Sequence, residues 1–237
     1  MEEKDKYISF YDQFTSDPKK NEISVLHVHI LEKLIIEGLR SNHKVLEAGC
    51  GLGELSHLIA QKVKHGKVLG VDINEDTVKK ASQLWEKQKN LSFEKAEMKA
   101  FENHGETYDF IILSEILQQI SRDKHYRLFE RVRHLSQNGT TIFVNLPSPR
   151  FSEWKAQNDP ESLQFVESIV NVGAMIESAT ANGFFLEKVA SYSVFFEEND
   201  FQYFIFRPQS RVVSPMPKKK RLFSKEKLHI NLMSLLM

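Results

Sequence analysis

The hydrophobic positions fall into short β-prone runs that alternate with stretches of helical spacing. Residues Val45–Ala48 form an apolar opening, and three glycines follow at alternate positions, Gly49, Gly51 and Gly53. Leu55, Leu58, Ile59 and Val63 then return at 3.6-residue spacing, one face of a helix. Upstream, Ile23, Leu26, Ile30 and Leu34 predict a helix near 21–40, with Asn21-Glu22 as its start. Downstream, Lys67–Asn74, Leu91–Lys95 and Tyr108–Leu113 read as strands, with a helix over 75–89 between the first two. A helix near 122–137 carries Leu128, Phe129, Val132 and Leu135 on one face, and Asn138-Gly139 turns the chain into a fifth strand, 139–145. A helix over 161–181 ends at Asn182-Gly183. Two last strands, Phe184–Phe196 and Asp200–Arg207, complete the pattern. Strands alternating with helices in this way predict a doubly wound α/β sheet.

Charge changes the picture at one end only. The 237 residues sum to zero net charge, but 208–237 hold seven Lys/Arg against one Glu. That leaves a tail of +6 on a body of −6. An acidic body lacks the electrostatic footprint of a nucleic-acid binder. The tail, with three prolines, Lys218–Arg221 and the apolar end Leu228–Met237, reads as a flexible basic linker. It is a candidate contact for a partner or a membrane surface. No apolar run approaches the ~20 residues of a membrane span, and Met1–Lys6 is too charged for a secretory signal. A lone cysteine, Cys50, suits a reducing compartment, so a cytoplasmic protein is expected. The histidines show no metal-ligand spacing, so no metal is expected.

The chemistry concentrates at Val45–Leu55. Strand, glycine turn and helix N-terminus together make the ligand corner of a doubly wound sheet, where free N–H groups and the helix dipole meet a bound group. The dinucleotide fingerprint G-x-G-x-x-G/A is not met, because Glu54 stands where its last small residue belongs and would face a pyrophosphate. Asp72 ends the second strand 19 residues past Gly53. A carboxylate there can accept both hydroxyls of a ribose, whichever nucleoside is bound; capping the next helix, a job Asn74 can also do, is its alternative role. Cys50 in the turn is either a thiol made acidic by the helix N-terminus or simply a small residue in tight packing.

The stretch Glu47-Ala48-Gly49-Cys50-Gly51-Leu52-Gly53 resembles the first motif, E/D-x-G-x-G-x-G, of class I S-adenosylmethionine-dependent methyltransferases. The resemblance covers about residues 7–207 and implies a seven-stranded, mostly parallel sheet with an antiparallel last strand and helices on both faces. It implies S-adenosylmethionine as cofactor and S-adenosylhomocysteine as product. Glu47, Gly49, Cys50, Gly51 and Gly53 would cradle the amino-acid half, Asp72 would hold the ribose, and Ile73 would cover the adenine. Glu97 would bond the adenine amino group and Met98 would pack on the ring, although glutamate stands where aspartate is usual. Tyr11, in the aromatic stretch 7–14, would fold over the methionine end, unless those aromatics only anchor the first helix. Ser114 leaves the fourth strand at the methyl-transfer position, and Ser114-Glu115-Ile116-Leu117 replaces the N/D-P-P-Y tetrapeptide of amide- and adenine-N-methyltransferases.

This reading divides the chain into a lid and capping helix over 1–40, a cofactor-binding core over 41–207 and the tail over 208–237. Within the core, 147–182 would be a substrate-side insertion, where Trp154 stacks on an acceptor or anchors the segment. The expected activity is methyl transfer to a small molecule, at a hydroxyl of a metabolite or carbohydrate. A non-catalytic S-adenosylmethionine-binding scaffold is the alternative, and a dehydrogenase a third reading opposed by Glu54. No residue is marked as a catalytic base. Glu115 and His125 lie near the fourth strand, and His27 and His29 lie on the first helix. Oligomeric state has no signature in the sequence.

Overall fold

The computed structural model describes residues 24–102, 105–158 and 169–209. Helix α1 (Val25–Ile36) starts at Ser24, whose side chain accepts the N–H of His27 at 3.3 Å. It stops at Gly38, which takes φ 96° while Leu39 N–H reaches back to Leu34 O at 2.9 Å and Gly38 N–H to Ile35 O at 3.1 Å. This double bond around a left-handed glycine is the Schellman closure, and it ends the helix before the predicted residue 40. Strand β1 (Lys44–Ala48) leads through the glycines into α2 (Glu54–Lys62), then β2 (Lys67–Asp72) and α3 (Glu75–Leu84). Helix α3 falls short of the expected 89. Trp85 leaves the helix, its indole N–H bonding Leu52 O at 2.7 Å and its ring stacking on His57 at 3.9 Å.

Strand β3 (Leu91–Lys95), a 3₁₀ turn over Met98–Ala100 and β4 (Tyr108–Ser114) follow. A second 3₁₀ turn, Leu117–Gln119, precedes α4 (Arg122–His134). Strand β5 (Ser136–Pro147) starts earlier than its glycine signal, since Ser136 already pairs with Tyr108 of β4. Beyond it lie α5 (Pro149–Asn158) and α6 (Val172–Ala181). Within the insertion 147–182, where a helix over 161–181 was expected, α5 and α6 are the described helices, and 159–168 lie outside the described residues. Asn171 caps α6 by accepting Ala174 N–H at 2.9 Å. Strand β6 (Phe184–Tyr192) also ends before the expected Phe196. The Asp200 carboxylate accepts the N–H groups of Val194 and Phe195 at 2.8 and 2.7 Å, bending the chain into a loop before β7 (Phe201–Pro208).

The sheet order is β3-β2-β1-β4-β5-β7-β6, with β7 antiparallel to both its neighbours and β1 to β5 parallel. The expected seven-stranded sheet with its reversed last strand is the one observed. Alternation along β1 sends Val45 to the face covered by α1 and α2, and Leu46 and Ala48 to the face covered by α4 and α6. On the α4 side Phe129 packs edge-on against Phe184 and Phe206, with ring centres 6.3 and 5.9 Å apart. Truncating such a ring to alanine would cost about 3–5 kcal/mol. Strand order reverses between β1 and β4, which opens a crevice above their carboxyl ends. The glycine corner lies there.

Candidate active site

Cys50 and Gly49 both donate their backbone N–H to Val71 O, at 3.1 and 2.8 Å, which folds the corner tightly against β2. Gly51 and Gly53 sit at φ 54° and 80°, left-handed backbone that L side chains rarely adopt. Their surroundings differ. A Cβ on Gly53 would come within 2.4 Å of the Phe93 ring, so that glycine is needed for packing; a Cβ on Gly51 would meet nothing within 4 Å. Gly51 thus presents bare main chain to open space, as a ligand cradle requires. Helix α2 begins just beyond, with Gly53 as an N-cap that offers no side chain and leaves the N-terminal N–H groups to other acceptors.

Three acids gather under this corner. Asp72 is buried, and its two carboxylate oxygens accept Gly51 N–H at 3.0 Å and Asn74 N–H at 2.9 Å. Asn74, not Asp72, caps α3, accepting Thr77 N–H at 2.8 Å. The Ile73 N–H also acts on this carboxylate, and with about four lone-pair sites it keeps acceptor capacity for a ribose hydroxyl. Burial pushes the Asp72 carboxyl upward against the pull of those backbone bonds. Glu47 is buried within β1 and accepts a hydrogen bond from the Ser56 hydroxyl. Desolvation, reinforced by Glu54 and Asp72, raises its pKa from 4.5 to about 8. Glu54, in the first turn of α2, is also buried and pushed up by desolvation.

The other sequence candidates divide. Ile73 is half-buried beside Asp72, and Glu97 is half-buried at the start of the 3₁₀ turn after β3. Met98, expected against the adenine ring, is buried in the hydrophobic cluster on the α4 side. Cys50 is buried, and burial followed by the Asp72 and Glu47 charges drives its thiol well above the usual range. Burial thus outweighs the helix N-terminus at this thiol. His125 is likewise buried, and its Nε2 lies 3.0 Å from the carbonyl oxygens of both Leu117 and Ile120. Two carbonyl partners require a protonated Nε2, and through it the ring clamps the turn after β4. His27 is desolvated and lowered to about 4, and His29 lies 3.3 Å from Glu32. Tyr11 lies outside the described residues.

Ser114 and Glu115 leave β4 at the crevice. Glu115 stands at φ 53° and is the one non-glycine with positive φ among the described residues. Its backbone N–H donates to Asn145 O at 3.0 Å, so the end of β5 holds it there. A carboxylate in left-handed backbone costs about 1–2 kcal/mol and marks a candidate functional position. The sequence reading overlooked Asn145 and Tyr192. Asn145 is fully buried, and its Oδ1 accepts the Tyr192 hydroxyl at 2.7 Å while its Nδ2 has no partner. Burial, then Glu115 and Asp200, keep that phenol protonated. The two residues are 47 positions apart, and no local motif announces the pair. Among the described residues no cluster of three His, Cys, Asp or Glu is arranged to hold a metal ion, and no helix is long and apolar enough to cross a membrane.

Sheet order, reversed seventh strand, glycine corner and acid at the end of β2 define an α/β nucleoside-binding fold of the methyltransferase type. A family model described as a methyltransferase domain matches residues 39–197, and the chain belongs to that family, the class I S-adenosylmethionine-dependent methyltransferases. It is similar to malonyl-[acyl-carrier protein] O-methyltransferase 1 of Ilyobacter polytropus, with 27% identity over 181 residues, 70% of this chain and 66% of that protein. Further curated relatives are matched over 38% to 47% of their length, so the chain spans less than two thirds of the relatives it matches. Among solved structures, a protein of Pyrococcus horikoshii superposes with a TM-score of 0.64 at 19% identity, over 77% of this chain and 89% of that one. Magnesium protoporphyrin IX methyltransferase of Synechocystis, solved with bound S-adenosylhomocysteine, superposes with a TM-score of 0.60 at 17% identity, over 88% of each chain.

Proposed function

We propose that this chain transfers a methyl group from S-adenosylmethionine to an oxygen of a small-molecule acceptor. The observation that carries the reading is the convergence of bare Gly51 main chain, the Asp72 carboxylate and the buried Glu47 at the switch point of the sheet. S-adenosylmethionine, when bound, supplies a sulfonium-activated methyl group that a nucleophile can take without a metal. The residues present suit it: Asp72 keeps acceptor capacity for a ribose hydroxyl, and Glu47 lies beneath the glycines where a cationic amino-acid end would be met. Ile73 and Glu97, which follow the ends of β2 and β3, are our candidates for contacts to the adenine.

The protein's own task is to orient the acceptor, exclude water and take up a proton. Glu115, held at the crevice by the end of β5, is our candidate for accepting the proton that a hydroxyl releases on methylation. The acidic body and the Ser114–Leu117 segment support an oxygen acceptor over amide or adenine nitrogen. An O-methyltransferase among the similar proteins points the same way. The N-terminal residues up to about 40 would complete the cofactor side, and 147–182 the acceptor side.

Calorimetry with S-adenosylhomocysteine and with NAD tests the cofactor, and labelled S-adenosylmethionine offered to panels of hydroxylated and amino acceptors tests the chemistry. Saturable S-adenosylhomocysteine binding with label on a hydroxyl compound is expected. Binding of NAD alone would return the dehydrogenase reading, and tight S-adenosylhomocysteine binding without turnover on either panel would support the scaffold.

A further inference from the structure

A chain of aromatic rings leads from the inner polar pair to the surface at the carboxyl edge of the sheet. It starts at Tyr192, whose hydroxyl holds Asn145, and passes to Phe201 with ring centres 5.9 Å apart. Phe201 meets Phe151 of α5 at 5.4 Å, and Phe151 in turn meets Phe196 at 5.7 Å and Trp154 at 6.3 Å, the latter stacked. Trp154 and Phe196 close the outer end edge to face at 5.0 Å. Both are 44% exposed, and Phe195 beside them is 55% exposed.

The arrangement is built rather than incidental. Ser148 N–H donates to Asp200 O at 2.7 Å, tying the end of β5 to the start of β7, and the Asp200 carboxylate fixes the loop that carries Phe195. Arg150 of α5 pairs with Glu198 of that loop. These contacts tie the end of β5, α5 and the loop before β7 to one another.

We propose that this wall is the acceptor subsite of the methyltransferase, and that it takes a planar, apolar small molecule carrying an oxygen at one end. The inference rests on the function proposed above and names the substrate class of that site. Two independent observations converge on it. The outer rings offer faces and edges at the spacing of aromatic pairs, which suits a flat guest. At the inner end, Asn145 Nδ2 is a fully buried donor with no partner, while its Oδ1 is fixed by Tyr192. A buried donor calls for an acceptor atom, and an oxygen on a guest that enters past the Phe201 and Tyr192 rings supplies one. Glu115 N–H donates to Asn145 O at 3.0 Å, which sets the proposed proton acceptor beside the same residue.

The test is calorimetry on the full chain saturated with S-adenosylhomocysteine, comparing 2-naphthol with decahydro-2-naphthol, its puckered, aliphatic counterpart with a hydroxyl on the same carbon, and with naphthalene as the flat compound without one. We expect 2-naphthol to bind about tenfold or more tightly than the saturated compound. Phe196→Ala and Trp154→Ala, both at exposed positions, should each weaken it about tenfold and leave S-adenosylhomocysteine affinity unchanged. Tyr192→Phe, which frees the Asn145 amide, should weaken 2-naphthol more than naphthalene. The proposal is overturned by absent 2-naphthol binding, by equal affinity for the flat and puckered compounds, or by indifference to both wall substitutions. Failure of S-adenosylhomocysteine to bind would instead strike the cofactor reading, because the naphthol titration still reads the wall alone.

Discussion

Glu47 offers a decisive test of how the site is wired, because it is an acid the fold keeps out of water. Its carboxyl sits under the glycine corner with Ser56 as hydrogen-bond donor, and burial lifts its pKa from 4.5 to about 8. Between those values the folded protein keeps a proton that the unfolded chain has released. Stability is therefore whole below about pH 4.5 and falls as pH rises, by about 1.4 kcal/mol per unit, until the folded group itself ionises. Over that window the loss amounts to about 5 kcal/mol, comparable with the whole stability of a modest domain. Glu47→Gln keeps the shape and is neutral at every pH. Urea unfolding at a series of pH values should show variant and wild type diverging as pH rises from about 5 to 8, with the variant more stable at the upper end. Glu54 and Asp72, the acids facing Glu47, remain in both proteins and largely cancel in the difference. A gap that stays within about 1 kcal/mol across the window would show that Glu47 is ionised in the folded state, and the wiring would be wrong. The same proton should be expelled when a cationic amino-acid end binds beside it. Calorimetry near pH 7 in buffers of differing ionisation heat reads that release directly.

Asp72→Asn should weaken S-adenosylhomocysteine by about 2 kcal/mol, since it removes charge-assisted acceptors from both the loop and the sugar; unchanged affinity in calorimetry would remove Asp72 from the ribose. Gly51→Val forces a β-branched residue into left-handed backbone with open space around it. It should cost about 1–2 kcal/mol in stability yet abolish nucleoside binding, and a folded variant that still binds would count against the corner as a cradle. His125→Phe leaves two carbonyls without their donor and should lower stability by about 1–3 kcal/mol, while S-adenosylhomocysteine affinity stays intact. Loss of turnover without loss of melting temperature would restore His125 as a base.

Features encoded within one short stretch were legible in the sequence. The strand–glycine–helix corner needs only contiguous residues to be seen, and Asp72 follows from it because the second strand must end beside the first turn. The reversed last strand was reached through resemblance rather than periodicity. What escaped depended on partners distant in the chain. Helix α3 stops early because Trp85 is drawn to Leu52 O, 33 positions away, and β6 stops early because Asp200 captures two N–H groups from the following loop. Met98 was expected at the adenine face by resemblance and His125 by its place near the fourth strand; both are buried, Met98 in the cluster on the α4 side and His125 against two carbonyl oxygens. Helix α5 went unread, since its aromatic residues serve a cluster assembled from three separate segments. Asn145 and Tyr192 had no local signature, because their bond exists only after β5 and β6 are both in the sheet.

The features that oppose stability are concentrated at one edge, and this bears on function more directly than any single residue. Glu47 and Asp72 are acids whose burial disfavours their charge, Glu115 occupies left-handed backbone, and Asn145 holds a buried donor without a partner. All four lie at or beside the carboxyl ends of β1, β2, β4 and β5, around the switch point. The central strands beneath them follow ordinary rules, with aliphatic and aromatic residues alternating between two well-filled faces. A sheet of that kind can hold a strained rim in place: the Ser114–Asn145 pairing and the bond from Glu115 N–H to Asn145 O fix the very residues that depart from low-energy geometry. Local rules broken together at one edge, and kept in the strands that support it, mark that edge as the candidate binding site. By that reasoning a ligand that neutralises the buried acids and satisfies the orphan donor should stabilise this protein more than its contact area alone would suggest.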